Sequence, residues 1–212
     1  MNKISTVVSL LLVGGSVFGV DRNLTFERCS KPERLRKIVK KNGDVEIAKN
    51  GENRVLRLKS PSSSFALETG ATSSNFSTSM DFFYNEGASG SIMHFSMLNS
   101  SEKYFALMSR DNVLRASTSR GGKTKMRELF TLTPETWYRI EVKVKGRRYS
   151  LTVADRGPDN SNQEEKVVYD SKQDGKVLYV NTEVEPQVLS FNHWTKQSGH
   201  FIDYDNFVLS SD

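Results

Sequence analysis

The stretch TWYRIEVKVKGRRYSLTVAD, residues 136–155, decides the fold. Apolar side chains occupy every second position of its first half: Tyr138, Ile140, Val142 and Val144. A period of two predicts a strand with one apolar and one charged face. Lys145-Gly146 suits a tight reversal, because glycine tolerates positive φ, and the alternation resumes at residues 149–153. We predict a long β-hairpin whose apolar face needs a second layer, since an isolated hairpin is marginal in water.

The rest of the chain supplies that layer mainly as strands. Turn residues separate short segments of strand-like composition: 44–48, 54–59, 65–68, 75–84, 90–98, 103–109, 112–118, 123–131, 164–170, 187–194 and 200–209. Before them, Ser30-Lys31-Pro32-Glu33 fits either a helix start or a basic loop. We therefore predict an all-β protein, a two-sheet antiparallel β-sandwich.

A leader and one domain account for the chain's organisation. Residues 1–19 combine an early cation, Lys3, with a short apolar run and small residues up to Gly19, which predicts a secretory signal peptide cleaved after Gly19. A membrane anchor is the alternative, but the run is short and broken, and no other stretch approaches spanning length. Residues 20–212 suffice for one core, so we expect a single secreted domain, extracellular or periplasmic.

The charge balance is mildly basic. The chain has 30 basic and 25 acidic residues, so losing Lys3 leaves +4 with neutral histidines. Such a balance favours acidic polymers such as sulfated or uronate-rich glycans, although proteins without such partners also show it. No nucleic-acid-binding motif is present, so we do not expect nucleic acid as a partner. Cys29 is the only cysteine, which excludes an intrachain disulfide.

The hairpin, together with FIDYDNFVL at residues 201–209, resembles the concanavalin A-like lectin/glucanase superfamily in its laminin-G-like form. The resemblance covers most of the mature chain. It implies a two-sheet jelly roll whose terminal strand pairs with the N-terminal one, and whose concave sheet often carries saccharide binding or glycoside chemistry. It also implies a structural calcium shared by an acid near the first strand and an aspartate in the last. Glu27 and Asp205 occupy these places, and carboxylate oxygens suit that hard cation.

Strand alternation places a candidate carbohydrate site on one outward face. If Met93, Phe95 and Met126 point into the core, their neighbours point out. The predicted binding residues are His94, Tyr104, Arg115, Lys125 and Arg127, with Trp194 as a sugar-stacking platform. The arginine guanidinium group binds carboxylate or sulfate groups through two hydrogen bonds, and lysine supplies a point charge. A solvated sheet face, with Trp194 packing the sandwich end, is the alternative, and a one-residue register error would disperse the cluster.

Catalysis needs a more exact constellation. The closely spaced, alternating acids of a retaining glycosidase are absent, because Asp203 and Asp205 share a face but sit among terminal-strand residues. For a polysaccharide lyase, His94 and Tyr104 would supply proton transfer, but Arg127-Glu128-Leu129 matches only part of an alginate-lyase motif. We therefore expect a noncatalytic carbohydrate-binding or adhesion module that requires no cofactor. A jelly-roll lyase or glycoside hydrolase and an envelope structural protein are the rivals.

Overall fold

The computed structural model describes residues 21–24, 26–27, 31–32, 38–69, 73–96, 105–120, 123–160, 165–173, 175, 178–179, 187–195 and 198–211. Its strands in the first half of the chain are β1 (Asp21–Leu24), β2 (Ile38–Asn42), β3 (Val45–Asn50), β4 (Asn53–Lys59), β5 (Ser63–Glu68), β6 (Phe76–Tyr84), β7 (Gly90–Ser96) and β8 (Phe105–Arg110). Those in the second half are β9 (Val113–Arg120), β10 (Lys123–Thr131), β11 (Thr136–Lys145), β12 (Arg148–Gly157), β13 (Lys166–Asp170), β14 (Leu178–Tyr179), β15 (Val188–His193) and β16 (Phe201–Ser211).

The strands form two antiparallel sheets. Sheet A has the order β13-β12-β11-β6-β16-β4-β3, with β1 paired to β16 and β14 paired to β12. Sheet B has the order β10-β9-β8-β7-β15-β5-β2. The predicted hairpin is β11–β12, with Val142 opposite Leu151 and Gly146 at φ 55° in the turn. The all-β, two-sheet antiparallel sandwich is confirmed.

One core joins the sheets. The apolar positions of the hairpin are all buried, and Tyr149 of sheet A stacks on Phe105 of sheet B with ring centroids 4.8 Å apart. Phe76 and Phe95 extend this aromatic contact, with centroids 5.3 Å apart. Alternate side chains along the strands of both sheets therefore point into one shared core.

The terminal strand lies in the middle of sheet A, between β6 and β4, and it also pairs with β1. Asp21 lies opposite Ser210, as the resemblance implied. Tyr204 and Phe207 both enter the core although three positions separate them. A bulge restores the phase between Asp205 and Val208, and Asn206 adopts φ 49°, a conformation that asparagine tolerates.

Several predictions concern residues outside the described ranges. These are the signal peptide, Cys29, Tyr104 and half of the helix start or basic loop at residues 30–33, of which Lys31 and Pro32 are described. Among the described residues, none lies in a helix of the length and apolarity needed to cross a membrane.

Candidate functional site

His94 follows the predicted alternation but is not open to solvent. Met93 and Phe95 enter the core, and His94 points to the other side of β7. There its Nδ1 lies 3.0 Å from Ser190 Oγ, on the neighbouring strand β15. Its exposed fraction is 7%, so the imidazole contributes little surface to a ligand in solution.

The predicted facing of β10 is wrong. Met126 was expected in the core but is 59% exposed. Directly paired residues share a face of an antiparallel sheet. Lys125 and Arg127 pair with Thr118 and Ala116, which are buried on the core side of β9. They therefore lie on the face opposite to that of Arg115.

The cause is the position of β10 at the edge of sheet B. The core does not extend to the first half of β10, so side chains there are exposed on both faces of the strand. Burial begins only at Leu129 and Phe130, across a bulge. The Phe130 ring packs against Tyr138 and Tyr169 of sheet A, at centroid distances of 5.8 and 6.4 Å.

Arg115 and Trp194 lie apart from Lys125 and Arg127. The Arg115 guanidinium donates to Glu128 Oε1 at 2.8 and 3.2 Å and to the Arg110 carbonyl at 2.5 Å. Trp194 follows β15, is 39% exposed and is held by a backbone bond to the Ser89 carbonyl. The structure does not bring the described residues of this set into one cluster, and the role of all six in binding carbohydrate stays a prediction.

Buried carboxylates lie under arginines on the outer face of sheet A. Arg139 on β11 donates to both oxygens of Asp81 on β6, at 2.8 and 3.0 Å. Arg57 on β4 donates to both oxygens of Asp203 on β16, at 2.6 and 2.7 Å, and Asn50 adds a bond of 2.9 Å. Both carboxylates are fully buried. These pairs connect neighbouring strands, which agrees with the terminal-strand role expected for Asp203.

The charged state of the Arg57–Asp203 pair follows from its geometry. Burial raises the pKa of Asp203, and the hydrogen bonds from Arg57 oppose that rise. The hydrogen bond to Asp203 is the largest contribution raising the pKa of Arg57. Because the Arg57 guanidinium donates two short hydrogen bonds to the Asp203 carboxylate, we assign both groups as ionised.

The predicted calcium ligands differ in their surroundings. Glu27 is exposed, and its Oε1 accepts a bond of 3.0 Å from the Arg54 backbone. Asp205 is 3% exposed, and its Oδ1 accepts a bond of 2.8 Å from the Asn206 backbone. Burial is the main cause that raises the pKa of Asp205 to about 6, and the charges of Asp81 and Glu27 contribute to this rise, whereas the hydrogen bond from the Asn206 backbone opposes it.

This concentration of negative charge suits a hard cation chemically. Among the described residues, however, no group of three or more His, Cys, Asp or Glu side chains is placed to hold a metal ion. Calcium bound by Glu27 and Asp205 stays a prediction.

The open surface of sheet A carries a different set of side chains near the β11–β12 turn. A row of residues lies directly opposite one another on β16, β6, β11 and β12: Ser210, Ser77, Lys143 and Ser150. On one side is a cleft of about 360 Å³, here named the hairpin cleft, lined by Lys143, Lys145, Arg148, Ser150 and Lys172. On the other is a hollow of about 160 Å³, the serine hollow, lined by Ser77, Thr78, Ser79, Glu141, Lys143 and Val208. The two share Lys143.

The hairpin cleft is strongly basic. Its four cations are exposed, and none forms an ion pair with a carboxylate of the described residues. The sequence predicts the charged face of β11 but not this cleft. The alternation of Lys143, Lys145 and the neighbouring Arg147-Arg148 was the available signal, whereas Lys172 joins them only through the pairing of β12 with β13.

Comparison with known proteins connects this fold to binding domains. No family model and no curated protein matches the sequence. Among solved structures, the botulinum neurotoxin serotype D binding domain matches with a TM-score of 0.58 and 11% identity, over 90% of this chain and 47% of that one. The binding domain of Paraclostridial Mosquitocidal Protein 1 gives 0.54 and 14%, over 92% and 48%.

The carbohydrate binding module CBM66 from Bacillus subtilis gives a TM-score of 0.50 and 14% identity, over 84% of this chain and 98% of that one. The chain shares the β-sandwich fold of these binding domains. It spans about half the length of the toxin domains but almost the whole of the carbohydrate binding module.

Proposed function

We propose that the protein is a secreted, noncatalytic carbohydrate-binding or adhesion module of the concanavalin A-like, laminin-G-like kind. The observation that carries this proposal is the match to the carbohydrate binding module, which extends over 98% of that chain. A whole binding module, rather than a fragment of one, therefore has this architecture. The other neighbours named above are also binding domains.

An acidic glycan is the finer form of the proposal. The positive balance of the mature chain supports it, and so does the cluster of unneutralised cations in the hairpin cleft. Sugar hydroxyls would find hydrogen-bond partners in the serine and threonine side chains next to the cleft.

The surroundings of Asp81 and Asp203 favour binding without cleavage. A glycosidase needs one carboxyl group as proton donor and another as nucleophile or base. Asp81 and Asp203 are instead buried, and each accepts two hydrogen bonds from an arginine guanidinium group. For a lyase, His94 would have to reach substrate from a buried position beside Ser190. Both enzyme classes remain the rivals against which the proposal is tested.

Incubation of the mature chain with a panel of neutral and acidic polysaccharides separates these functions. We expect retention on at least one immobilised glycan, with no new reducing ends and no new ultraviolet-absorbing unsaturated ends. Reducing ends would identify a hydrolase and unsaturated ends a lyase. Failure to bind any glycan of the panel would favour an envelope structural protein.

A further inference from the structure

We infer that the hairpin cleft is the site where this protein holds the acidic groups of an anionic polysaccharide. The inference rests on the proposed function and gives it a location and a ligand class. The proposed contacts are ionic, from Lys143, Lys145, Arg148 and Lys172 to the carboxylate or sulfate groups of the polymer. This site lies on sheet A, away from the basic residues of sheet B that the sequence first suggested.

Strand geometry keeps these cations together. Lys143 and Lys145 are two positions apart on β11, so they share its outer face at a spacing of about 7 Å. Arg148 lies opposite Lys145, and Ser150 lies opposite Lys143. Lys172 follows β13, the strand beyond β12, and lines the same cleft. The cations therefore surround a hydroxyl, an arrangement suited to a charged group carried on a sugar.

The cleft differs from the rest of the outer face of sheet A in its charge compensation. There, Arg57 and Arg139 are each paired with a buried carboxylate. The four cleft cations have no such partner among the described residues, and their side chains are exposed. Like charges held close together repel, so an external polyanion gains by neutralising them. Arg148 can bind a carboxylate or sulfate through its fork, and the lysines supply point charges.

The neighbouring surface favours a polysaccharide over other polyanions. From Lys143 the cleft continues into the serine hollow, where Ser77, Ser79 and Glu141 offer donors and acceptors to sugar hydroxyls. Among the residues whose side chains the structure describes, neither lining includes an aromatic ring, whereas single-stranded nucleic acids are usually held by stacking on such rings. Val208 is the one large apolar residue among the described residues of the two linings. A membrane surface therefore finds little apolar area to bury here.

Two charge-matched variants test the site. In the cleft variant, Lys143→Gln, Lys145→Gln, Arg148→Gln and Lys172→Gln are combined. In the control variant, Lys31→Gln, Lys49→Gln, Arg110→Gln and Lys166→Gln remove the same number of lysines and arginines from other exposed positions. Binding to heparin, polygalacturonate and neutral dextran is measured by titration at about 0.15 M salt. Thermal unfolding of both variants verifies that they fold.

The cleft variant should bind heparin or polygalacturonate at least about tenfold more weakly than the native chain, whereas the control should change less than about threefold. Raising the salt concentration should weaken binding of these acidic glycans to the native chain more than their binding to the cleft variant. Equal losses in both variants would assign binding to net charge and overturn the site. A greater loss in the control would assign binding to the other positions.

Two further results separate this inference from the proposed function. If the native chain binds dextran as well as the acidic glycans, and the cleft variant is unchanged, carbohydrate binding stands and the anionic site fails. If no glycan is retained but vesicles of phosphatidylserine and phosphatidylcholine are, both the site's ligand class and the carbohydrate-binding function fail.

Discussion

His193 is a buried titratable residue whose position determines how stability depends on pH. It ends β15 on the core side and is 1% exposed. Burial is the main cause that lowers the pKa of its imidazole to about 4, and the charge of His200 contributes to this lowering. The unfolded chain takes up the proton near pH 6.5, whereas the folded chain does so only near pH 4. Between these values the unfolded state binds more protons, so stability is present above pH 6.5 and falls as the pH falls.

The substitution His193→Leu tests this relation, because leucine is apolar and does not titrate. On moving from pH 7 to pH 4.5, the native chain should lose about 2 to 3 kcal/mol more free energy of unfolding than the variant loses. Urea unfolding of both proteins at the two pH values measures the difference. An equal loss in both would show that His193 is not the group responsible.

Side chains point as the sequence predicts where a strand has the core on one side. Met93, His94 and Phe95 point as their alternation predicts, because β7 lies in the interior of sheet B and packs against the core along this segment. Met126 does not, because β10 is an edge strand whose first half passes beyond the core. Alternation predicts which residues share a face, but not how far the opposite layer extends.

At the scale of elements, the Arg57–Asp203 pair joins β4 to β16. The Arg57 guanidinium also lies 4.0 Å from the centre of the Phe201 ring, a cation–π contact. Substituting Arg57→Met would leave the buried Asp203 carboxylate with Asn50 as its described side-chain partner. We expect a loss of about 3 kcal/mol in the free energy of unfolding, because an uncompensated buried charge is costly.

The double variant Arg57→Met with Asp203→Asn should recover part of that loss, since it removes the uncompensated charge. Urea unfolding of the native chain, both single variants and the double variant completes the cycle. If the double variant loses the sum of the two single losses, the pair is not energetically coupled.

The predicted calcium would join the segment after β1 to β16 through Glu27 and Asp205. If it binds, calcium at about tenfold above its dissociation constant should stabilise the chain by about 1.4 kcal/mol, or about 3 to 6 °C in Tm. Excess chelator should reverse this increase, and Asp205→Asn should abolish it. If calcium does not change the Tm of the native chain, the predicted site is wrong.

For the whole molecule, alternation was sufficient for the architecture but not for the site. A period of two repeated in segment after segment leaves few alternatives to stacked sheets, and the hairpin at residues 136–155 forms as expected. The hairpin cleft depends instead on where separate strands meet. Arg148 and Lys172 are brought together by the β12–β13 pairing, whose irregular register is not encoded in either strand alone.

Secretion is a prediction about the whole chain. The first described strand begins at Asp21, so cleavage after Gly19 would leave β1 and its pairing with β16 intact. We expect the exported protein to begin at Val20, as N-terminal sequencing of the protein from culture medium or periplasm would measure. Recovery of the uncleaved chain in the membrane fraction would instead support an anchor.

The pairing of Asp21 with Ser210 has a practical consequence for protein engineering. Adjacent strands lie about 5 Å apart, so a few added residues could connect these two positions covalently. New chain ends could then be opened at the turn around Gly51, where φ is 60° and no neighbouring atom would crowd a side chain. Such a circular permutant would preserve the order of strands in both sheets. Its new ends, in the β3–β4 turn, would allow attachment to a solid support without altering the β11–β12 turn.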